Sequence, residues 1–316
     1  ELYINRSKLT NITVSRSTGY SVLRGAAIMI NACYSTGVTI INTIIADNLV
    51  SYTGGGGNYI DISGAAISSL ASGGNVQLIN STVVNNQVYT NTSNTGWGSA
   101  IFAEDRNSEG YVPSLTIFNS IIHGNSIVTN STTTSDFQIY LTEANDGVEA
   151  YASYSLIGGD DDLDGDDILF NSNPEFADST YVLHDRSPAI GAGYAVGDGA
   201  EGSVYAPTVD ITGVPNSRPY PANSNPDLGA YEHELAVTLY PSPVENLTAT
   251  ALHKSVLLEW DAHEENNVVS YIAYVSEDSI NFTAADTVSG RFTTSATIDS
   301  LTNYEYYWFY VTAINT

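Results

Sequence analysis

The sequence predicts an all-β protein: a right-handed parallel β-helix followed by a second all-β domain. Two observations predict the first part. Units spaced 31 to 39 residues apart recur, and each places alternating apolar residues around an anchor, namely Asn11, Asn42, Asn80, Asn119 and Tyr154. Repeats of this length indicate a solenoid, and two-residue alternation indicates strands. One unit has too few inward residues to bury a core, but stacked units pair strand on strand at roughly 4.8 Å.

A second short strand is predicted upstream of three anchors. It begins with Gly-Ala-Ala-Ile or Gly-Ser-Ala-Ile at residues 25–28, 64–67 and 98–101. We expect about five to six coils, with the three isoleucines that end these motifs stacked inside: Ile28, Ile67 and Ile101. We also expect the Asn anchors to stack in equivalent turns, because Asn tolerates the left-handed conformation and its amide reaches the next coil.

Composition and charge exclude several classes of function. The net charge is −26 with nine Lys plus Arg, so binding to nucleic acid or to an anionic membrane is disfavoured. No apolar run approaches the roughly 18 residues of a membrane-spanning helix. The single Cys33 excludes an internal disulfide framework, and the five histidines lack zinc-site spacing. The acidity is typical of a secreted protein.

A second Asn follows three of the anchors by six residues, at Asn48, Asn86 and Asn125. Aromatic residues recur in the loops that follow this second Asn. They lie among Gly, Asn and Thr, a setting that suits stacking against sugar rings. The predicted ligand-binding residues are Tyr52, Tyr59, Tyr89 and Trp97. The alternative interpretation is that these rings fold over the loops and shield the coils.

The densest acidic run, residues 160–167, is a candidate metal site. Its carboxylates alternate around Gly165, which resembles the start of a calcium loop, and the predicted Ca²⁺ ligands are Asp160, Asp162, Asp164 and Asp166. The twelfth position is Asn171 rather than a bidentate Glu, so this is not an EF-hand. A calcium-stabilised turn and a solvated acidic turn both remain open.

An enzymatic interpretation centres on residues 104–106. A polysaccharide lyase needs a Lys or Arg base near acidic groups, and Arg106 beside Glu104 and Asp105 is the best local candidate. Arg16 and Arg24 lie on earlier coils, from which they are able to approach this loop. A glycoside hydrolase instead needs two carboxylates, for which the candidates are Asp47, Asp61, Glu104 and Asp105. Exposed charged loops are far commoner than catalytic sites, so catalysis is the less favoured interpretation.

The segment after the repeats carries a specific resemblance. Its motifs include Asn173-Pro-Glu-Phe176, Ser187-Pro-Ala-Ile-Gly-Ala-Gly193 and Asp227-Leu-Gly-Ala-Tyr-Glu232. In this order they resemble the end of the pectate-lyase-like β-helices called choice-of-anchor Q domains, which occur in secreted bacterial surface proteins. The resemblance covers residues 1–234 and implies that residues 194–234 form a C-terminal cap. It further implies that Arg218 and Asp227 belong to this cap, as a buried ion pair.

Residues 241–316, after a linker at 235–240, have a different pattern. Val256-Leu-Leu-Glu-Trp260 and Val269-Ser-Tyr-Ile-Ala-Tyr-Val275 alternate as strands, and Tyr307 lies six residues after Leu301. This pattern resembles a fibronectin type III domain, an immunoglobulin-like β-sandwich, with Trp260 in its core and Tyr307 as its corner tyrosine. The resemblance implies a domain that lacks its last strand.

These features together predict a non-catalytic, adhesin-like module of a larger secreted protein on a bacterial surface. Its partner would be a polysaccharide or another extracellular component. The alternatives are a lyase or glycoside hydrolase acting on an acidic polysaccharide, and a subunit of an extracellular filament or surface layer. Assembly would then use the open strand edges. We also expect the 316 residues to be an interior fragment, because a first coil without a cover and a sandwich without its last strand would leave exposed edges.

Overall fold

The computed structural model divides the chain into two compact units, residues 1–237 and 238–316. All regular structure in the described residues is β-strand. The described residues are 2–18, 21–31, 37–54, 60–71, 75–91, 96–105, 113–129, 132–134, 138–141, 148–159, 163–214, 217–236, 241, 243–263 and 268–315. Cys33 lies outside them.

The first unit is a parallel β-solenoid. Its first two coils contain β1 (Leu2–Asn5), β2 (Lys8–Thr10), β3 (Thr13–Arg16), β4 (Ser21–Arg24), β5 (Ile28–Ile30), β6 (Val38–Ile41), β7 (Ile44–Ala46), β8 (Leu49–Tyr52), β9 (Ile60–Ser63) and β10 (Ile67–Ala71). The next two contain β11 (Asn75–Ile79), β12 (Thr82–Val84), β13 (Gln87–Thr90), β14 (Ile101–Asp105), β15 (Ser114–Phe118), β16 (Ile121–His123), β17 (Ser126–Thr129), β18 (Thr132–Thr134) and β19 (Ile139–Leu141). Four short strands follow: β20 (Glu149–Ser153), β21 (Leu156–Ile157), β22 (Asp164–Asp166) and β23 (Leu169–Phe170).

Strands of successive coils form five sheets that run along the solenoid. Sheet 1 has the order β1-β6-β11-β15-β20-β22, sheet 2 β2-β7-β12-β16-β21-β23, sheet 3 β3-β8-β13-β17-β18, sheet 4 β4-β9 and sheet 5 β5-β10-β14-β19. All pairs are parallel except β17 with β18. Sheets 1 and 2 have six rungs each, whereas sheets 3 and 5 receive strands from four coils. The solenoid is therefore confirmed, whereas five to six complete coils was an overestimate.

The predicted isoleucine stack is confirmed. Ile67 lies in register with Ile28 on one side and Ile101 on the other, and Ile139 continues the row. These residues face the parallel rows of sheet 1 in one continuous apolar core. Burial of each such side chain stabilises the fold by about 2 kcal/mol.

The predicted Asn turns are confirmed in part. Asn42, Asn80 and Asn119 end equivalent strands of sheet 1, and each has a positive φ. The assignment of Asn11 was wrong. The register pairs Leu2 with Val38, which places Arg6 opposite Asn42. The error arose because the next turn also demands a left-handed residue, and Asn11 occupies that one.

A buried ladder of amide side chains supports this next turn. Asn48 donates to Asn86 at 2.8 Å, Asn86 donates to Asn125 at 2.8 Å, and Asn125 donates to Gln138 at 2.8 Å. All four side chains are buried. The amides also bond backbone groups of neighbouring coils, such as Asn86 Nδ2 to the carbonyl of Ile45. The amides of this ladder therefore satisfy one another and the adjoining backbone inside the solenoid.

We predict that Asn86→Ala lowers the free energy of unfolding by about 2 kcal/mol, because it leaves buried partners of the amide without hydrogen bonds. Urea denaturation followed by circular dichroism measures the change. The matched control is Asn91→Ala, since Asn91 is exposed and its side-chain amide donates to the Thr53 carbonyl. Its expected effect is below about 0.5 kcal/mol. An equally small effect at Asn86 would contradict a structural role for the ladder.

Residues 171–236, the flank segment, cover the outer face of sheet 2. The sheet is apolar on both faces, and its outward residues include Ile44, Val84 and Ile121. They pack against apolar residues of the flank segment, among them Leu183, Ile190, Ile211 and Leu228. Because both faces are buried, the strands of sheet 2 contain consecutive apolar residues, such as Ile44-Ile45-Ala46, rather than alternating apolar and polar residues.

The flank segment, which includes the predicted cap at residues 194–234, lies along the side of the solenoid. At the first coil, Lys8 donates to the Tyr231 hydroxyl at 2.7 Å. Further along, Asn80 donates to the Asp227 carbonyl at 3.1 Å, and on the fifth rung Ser153 donates to the Asp198 carbonyl at 2.9 Å. Sequence motifs identified a closing segment but not the direction in which it runs. The coverage of sheet 2 requires this lengthwise path.

The expected ion pair of Arg218 with Asp227 was also wrong in detail. Arg218 is buried, and its Nη1 donates to the backbone carbonyl of Asp227 at 2.9 Å. The carboxylate nearest to it is that of Glu232, 3.4 Å from Nε. The Asp227 carboxylate instead accepts the backbone N–H groups of Gly191 and His233. Burial, followed by the charge of Glu232, raises the pKa of Asp227 well above its ordinary value.

Tyr181 joins the flank segment to the solenoid by hydrogen bonds. Its hydroxyl donates to Asp47 at 2.7 Å and accepts from Asn85 at 3.2 Å. Burial, reinforced by the hydrogen bond to Asp47, raises the pKa of Tyr181 to about 12. The folded state therefore favours the protonated phenol relative to the unfolded chain, where the pKa is about 10.

We accordingly predict that Tyr181 stabilises the first unit below about pH 10 and that this contribution is lost as the pH rises towards about 12. Thermal unfolding between pH 8 and 12 measures the loss. Tyr181→Phe should be less stable at pH 8 by about 1 kcal/mol and should show a shallower alkaline decline. The matched control is Tyr205→Phe, whose ring is exposed. Identical alkaline curves for wild type and Tyr181→Phe would refute the prediction.

The second unit consists of two three-stranded antiparallel sheets. Its strands are β26 (Thr248–Ala251), β27 (Val256–Glu259), β28 (Val268–Ser276), β29 (Thr283–Ser289), β30 (Ser295–Ile298) and β31 (Trp308–Asn315). The two preceding strands, β24 (Val196–Gly199) and β25 (Gly202–Tyr205), form a hairpin in the flank segment of the first unit. The sheet orders are β26-β27-β30 and β29-β28-β31. Trp260 and Tyr271 lie in a common apolar core with residues of both sheets. The unit is compatible with a β-sandwich.

Candidate binding site

Sheets 4 and 5 meet at a corner formed by the glycines of the repeated motif. Gly25, Gly64 and Gly98 all have positive φ values, between 54° and 60°. A Cβ at Gly64 would lie only 2.4 Å from the Ile67 carbonyl oxygen and 3.1 Å from the Phe102 Cβ. Glycine is therefore required both for the backbone conformation and for the close approach of the next coil. Side chains from the outer surfaces of both sheets converge here.

A charged cluster crosses this corner. Arg24 on β4 contacts the Asp61 carboxylate of the second coil through Nη2 and the Glu104 carboxylate of the third coil through Nη1, at 2.7 Å. The guanidinium carbon lies 4.7 Å from the ring centre of Phe102, in a cation–π contact. The side chain of Arg24 is only 5% exposed, and those of Asp61 and Glu104 are 12% and 24% exposed. Three coils are therefore tied together by one guanidinium.

Aromatic rings continue the corner towards the next coils. The ring centres of Phe102 and Tyr140 are 5.9 Å apart with nearly parallel planes, and those of Tyr140 and Trp97 are 4.7 Å apart. Trp97 reaches this place because it bridges to Ser63 at the edge of sheet 4. Its side chain is 42% exposed, whereas Phe102 is buried. We call these six residues the corner site: Arg24, Asp61, Trp97, Phe102, Glu104 and Tyr140.

The residues of the enzymatic interpretation separate in the structure. Glu104 belongs to the corner site, and the expected approach of Arg24 is observed. Asp105 ends β14, and Arg106 lies outside the described residues. Arg16 is exposed and donates to the Thr18 carbonyl. Among the proposed carboxylates, Asp61 joins Glu104, whereas Asp47 bonds Tyr181 on another face.

The four predicted ligand-binding aromatics also differ in position. Trp97 lies in the corner site, and Tyr89 is half-buried on sheet 3. Tyr52 is fully buried beneath Gly54, where it packs in the apolar core. Tyr59 lies outside the described residues. Of the described members of this set, Trp97 is therefore the one that belongs to the corner site.

Sequence reasoning missed Phe102 and Tyr140 as members of this site. Both follow an inward isoleucine of sheet 5, and the register pairs them directly. Alignment of the repeated Ile positions would have placed them one coil apart on the outer surface. The Arg24 contacts span two coils, so no pattern within one repeat signals them.

The described part of the predicted calcium-binding run is a strand. Asp164, Gly165 and Asp166 form β22, which pairs with β20. Asp166 accepts a hydrogen bond from the Tyr151 hydroxyl at 2.6 Å. Asp160 and Asp162 lie outside the described residues, so calcium binding by this run stays a prediction. In the part of the chain that the structure describes, no three His, Cys, Asp or Glu side chains gather as a metal site.

The corner site suits binding better than proton transfer. Both Nη atoms of Arg24 contact carboxylates, so this guanidinium is not free to act as the base of a lyase. The partly exposed indole of Trp97 and the neighbouring phenol offer apolar ring surface beside fixed polar groups. No helix in the described residues is long and apolar enough to cross a membrane. Comparisons with protein-family models and with curated proteins give no match.

We predict that Arg24→Ala lowers the free energy of unfolding by about 3 kcal/mol, because it leaves two largely buried carboxylates without their cation. Urea denaturation of the full chain measures this loss. Arg16→Ala is the matched control, since Arg16 is exposed and lacks these contacts, and its effect should stay within about 0.5 kcal/mol. Equal effects of the two substitutions would show that the cluster does not stabilise the corner.

Proposed function

We propose that the chain is a non-catalytic extracellular module of a bacterial surface or secreted protein, and that the corner site binds carbohydrate. The observation that carries the proposal is Trp97, whose partly exposed indole packs on Tyr140 beside the fixed groups of Arg24 and Glu104. A rigid aromatic ring next to oriented hydrogen-bonding groups is a common arrangement for binding with little loss of conformational entropy. The parallel sheets hold these groups in register, which keeps the site preorganised.

The finer family assignments support an extracellular location. We propose a choice-of-anchor Q type for the first unit, because its late motifs build the flank segment. We propose a fibronectin type III domain for the second unit. Its sheets have the strand orders β26-β27-β30 and β29-β28-β31, and the Tyr307 hydroxyl accepts the backbone N–H of Thr302 at 3.0 Å, as in a tyrosine corner.

Catalysis is the less favoured function for a geometric reason. The Asp61 and Glu104 carboxylates both contact one guanidinium, so each is engaged in a structural ion pair. A glycoside hydrolase requires one carboxyl group as a proton donor and the other as a nucleophile or base. Both carboxylates are instead held by Arg24.

We predict that Trp97→Ala weakens binding of the full chain to polysaccharides by about tenfold, because the exposed ring supplies the stacking surface. Affinity electrophoresis in gels containing soluble polysaccharides measures the effect. Tyr205→Ala is the control, since Tyr205 is also an exposed aromatic of the first unit but lies on the flank segment. Reducing-sugar and ultraviolet assays of the same mixtures should detect no products. Shortened or unsaturated chains would instead establish an enzyme.

A further inference from the structure

The second unit has an aromatic surface that its apolar core does not use. The core takes alternate residues of β28 and β31, among them Tyr271 and Val311. Because side chains alternate across a strand, the residues between them lie on the outer face of this sheet. On that face Tyr274 pairs with Tyr310, and Trp308 occupies the next outer position of β31.

Packing between the rings holds this surface in place. The ring centres of Tyr274 and Tyr310 are 4.5 Å apart with planes 19° from parallel, and that of Phe282 is 4.7 Å from Tyr310. Trp308 and Tyr310 nevertheless remain 42% and 38% exposed. We call these four residues the aromatic platform. A ligand that covers such rings gains contact area with little loss of side-chain entropy.

The sheet beneath the platform carries almost no charge. Its three strands, β28, β29 and β31, contain no Lys or Arg, and Asp286 is their one charged residue. Asp286 pairs with Ala273 rather than with a residue of the platform. The outer row beside the platform is neutral and carries hydroxyl groups, since Thr287 and Thr312 pair with Ile272 from either side.

This charge distribution decides which occupant the platform fits. A uronate or phosphate is bound by cations, and these strands supply none. An anionic membrane would be repelled by a chain with a net charge of −26. A neutral sugar chain instead presents apolar ring faces bordered by hydroxyl groups. Aromatic rings beside phenol and threonine hydroxyls complement both parts of that surface.

We propose that the aromatic platform is a second carbohydrate site, and that it takes a neutral, hydroxyl-rich glycan chain. Trp308 and Tyr310 contact the apolar faces of the sugars. Outer residues two apart in a strand are separated by about 6.8 Å, so one chain is able to cover both rings. This site goes beyond the corner site of the proposed function, because it uses other residues and belongs to the second unit.

Tryptophan fluorescence tests the platform separately from the corner. The chain has three tryptophans, and Trp260 is buried in the core of the second unit. In the Trp97→Ala variant of the full chain, acrylamide therefore quenches mainly Trp308. We expect galactomannan or a soluble β-1,3-glucan to protect Trp308 from quenching, equally at low and at physiological ionic strength. Polygalacturonate should leave it unprotected.

Substitution of Tyr310 removes a platform ring and keeps the reporter. Tyr310→Ala on the Trp97→Ala background should weaken neutral-glycan binding by about tenfold. The matched control is Phe292→Ala, since Phe292 is an exposed aromatic of the same unit that packs against Arg291 outside the platform. It should leave the affinity unchanged. Trp308→Ala, followed by affinity electrophoresis, gives an independent loss and keeps the test decisive if Tyr310→Ala fails to fold.

Three outcomes would overturn the inference. If neither neutral probe protects Trp308, the platform is not a glycan site, and binding by wild type that depends on Trp97 would leave the proposed function intact. Equal protection by polygalacturonate would refute the neutral ligand class. Self-association in sedimentation velocity that Trp308→Ala abolishes would assign the platform to a second copy of the chain. Conversely, Trp308 protection that is lost in Tyr310→Ala would support the inference even if Trp97→Ala changed no affinity.

Discussion

The structure of the first unit depends on the register between successive coils. Parallel pairing repeats every side chain position about 4.8 Å further along, so each turn must be tolerated in every coil. At the second turn this requirement is met by the buried ladder from Asn48 through Asn86 to Asn125, in which each amide completes the bonds of its neighbour. Because the ladder holds the turns in register, it also fixes which outer side chains meet on the surface.

Two outer surfaces of the solenoid, the face of sheet 2 and the corner of sheets 4 and 5, differ in whether another segment covers them. The outer face of sheet 2 is apolar and would be an aggregation hazard if bare, so the flank segment covers it along its length. The corner of sheets 4 and 5 instead carries the Arg24 cluster and the partly exposed Trp97. The flank segment contributes no residue to the corner site, so that site is built from the coils alone.

Much of the fold was predictable from the sequence, because the coils of a solenoid follow from the repeat length and the local alternation of apolar residues. Alternation and repeat length were enough to place Ile67 between Ile28 and Ile101. The position of Asn11 was not predictable, because two adjacent turns demand the same left-handed conformation and pattern alone cannot separate them. The ion pairs of Arg24 also escaped prediction, since side-chain reach across two coils leaves no periodic signal.

The corner site differs from the serine-containing turns in how its buried hydroxyls are bonded. Elsewhere, serine hydroxyls in the turns are bonded: Ser120 donates to the Phe118 carbonyl and accepts the backbone N–H of Ser81. At the corner, Ser63 and Ser68 are equally buried but lack partners. The Asn42 turn also leaves a buried amide oxygen without a partner, so such atoms are not confined to the corner. Serine at these two corner positions is therefore not explained by hydrogen bonding within the unit, unlike serine in the turns.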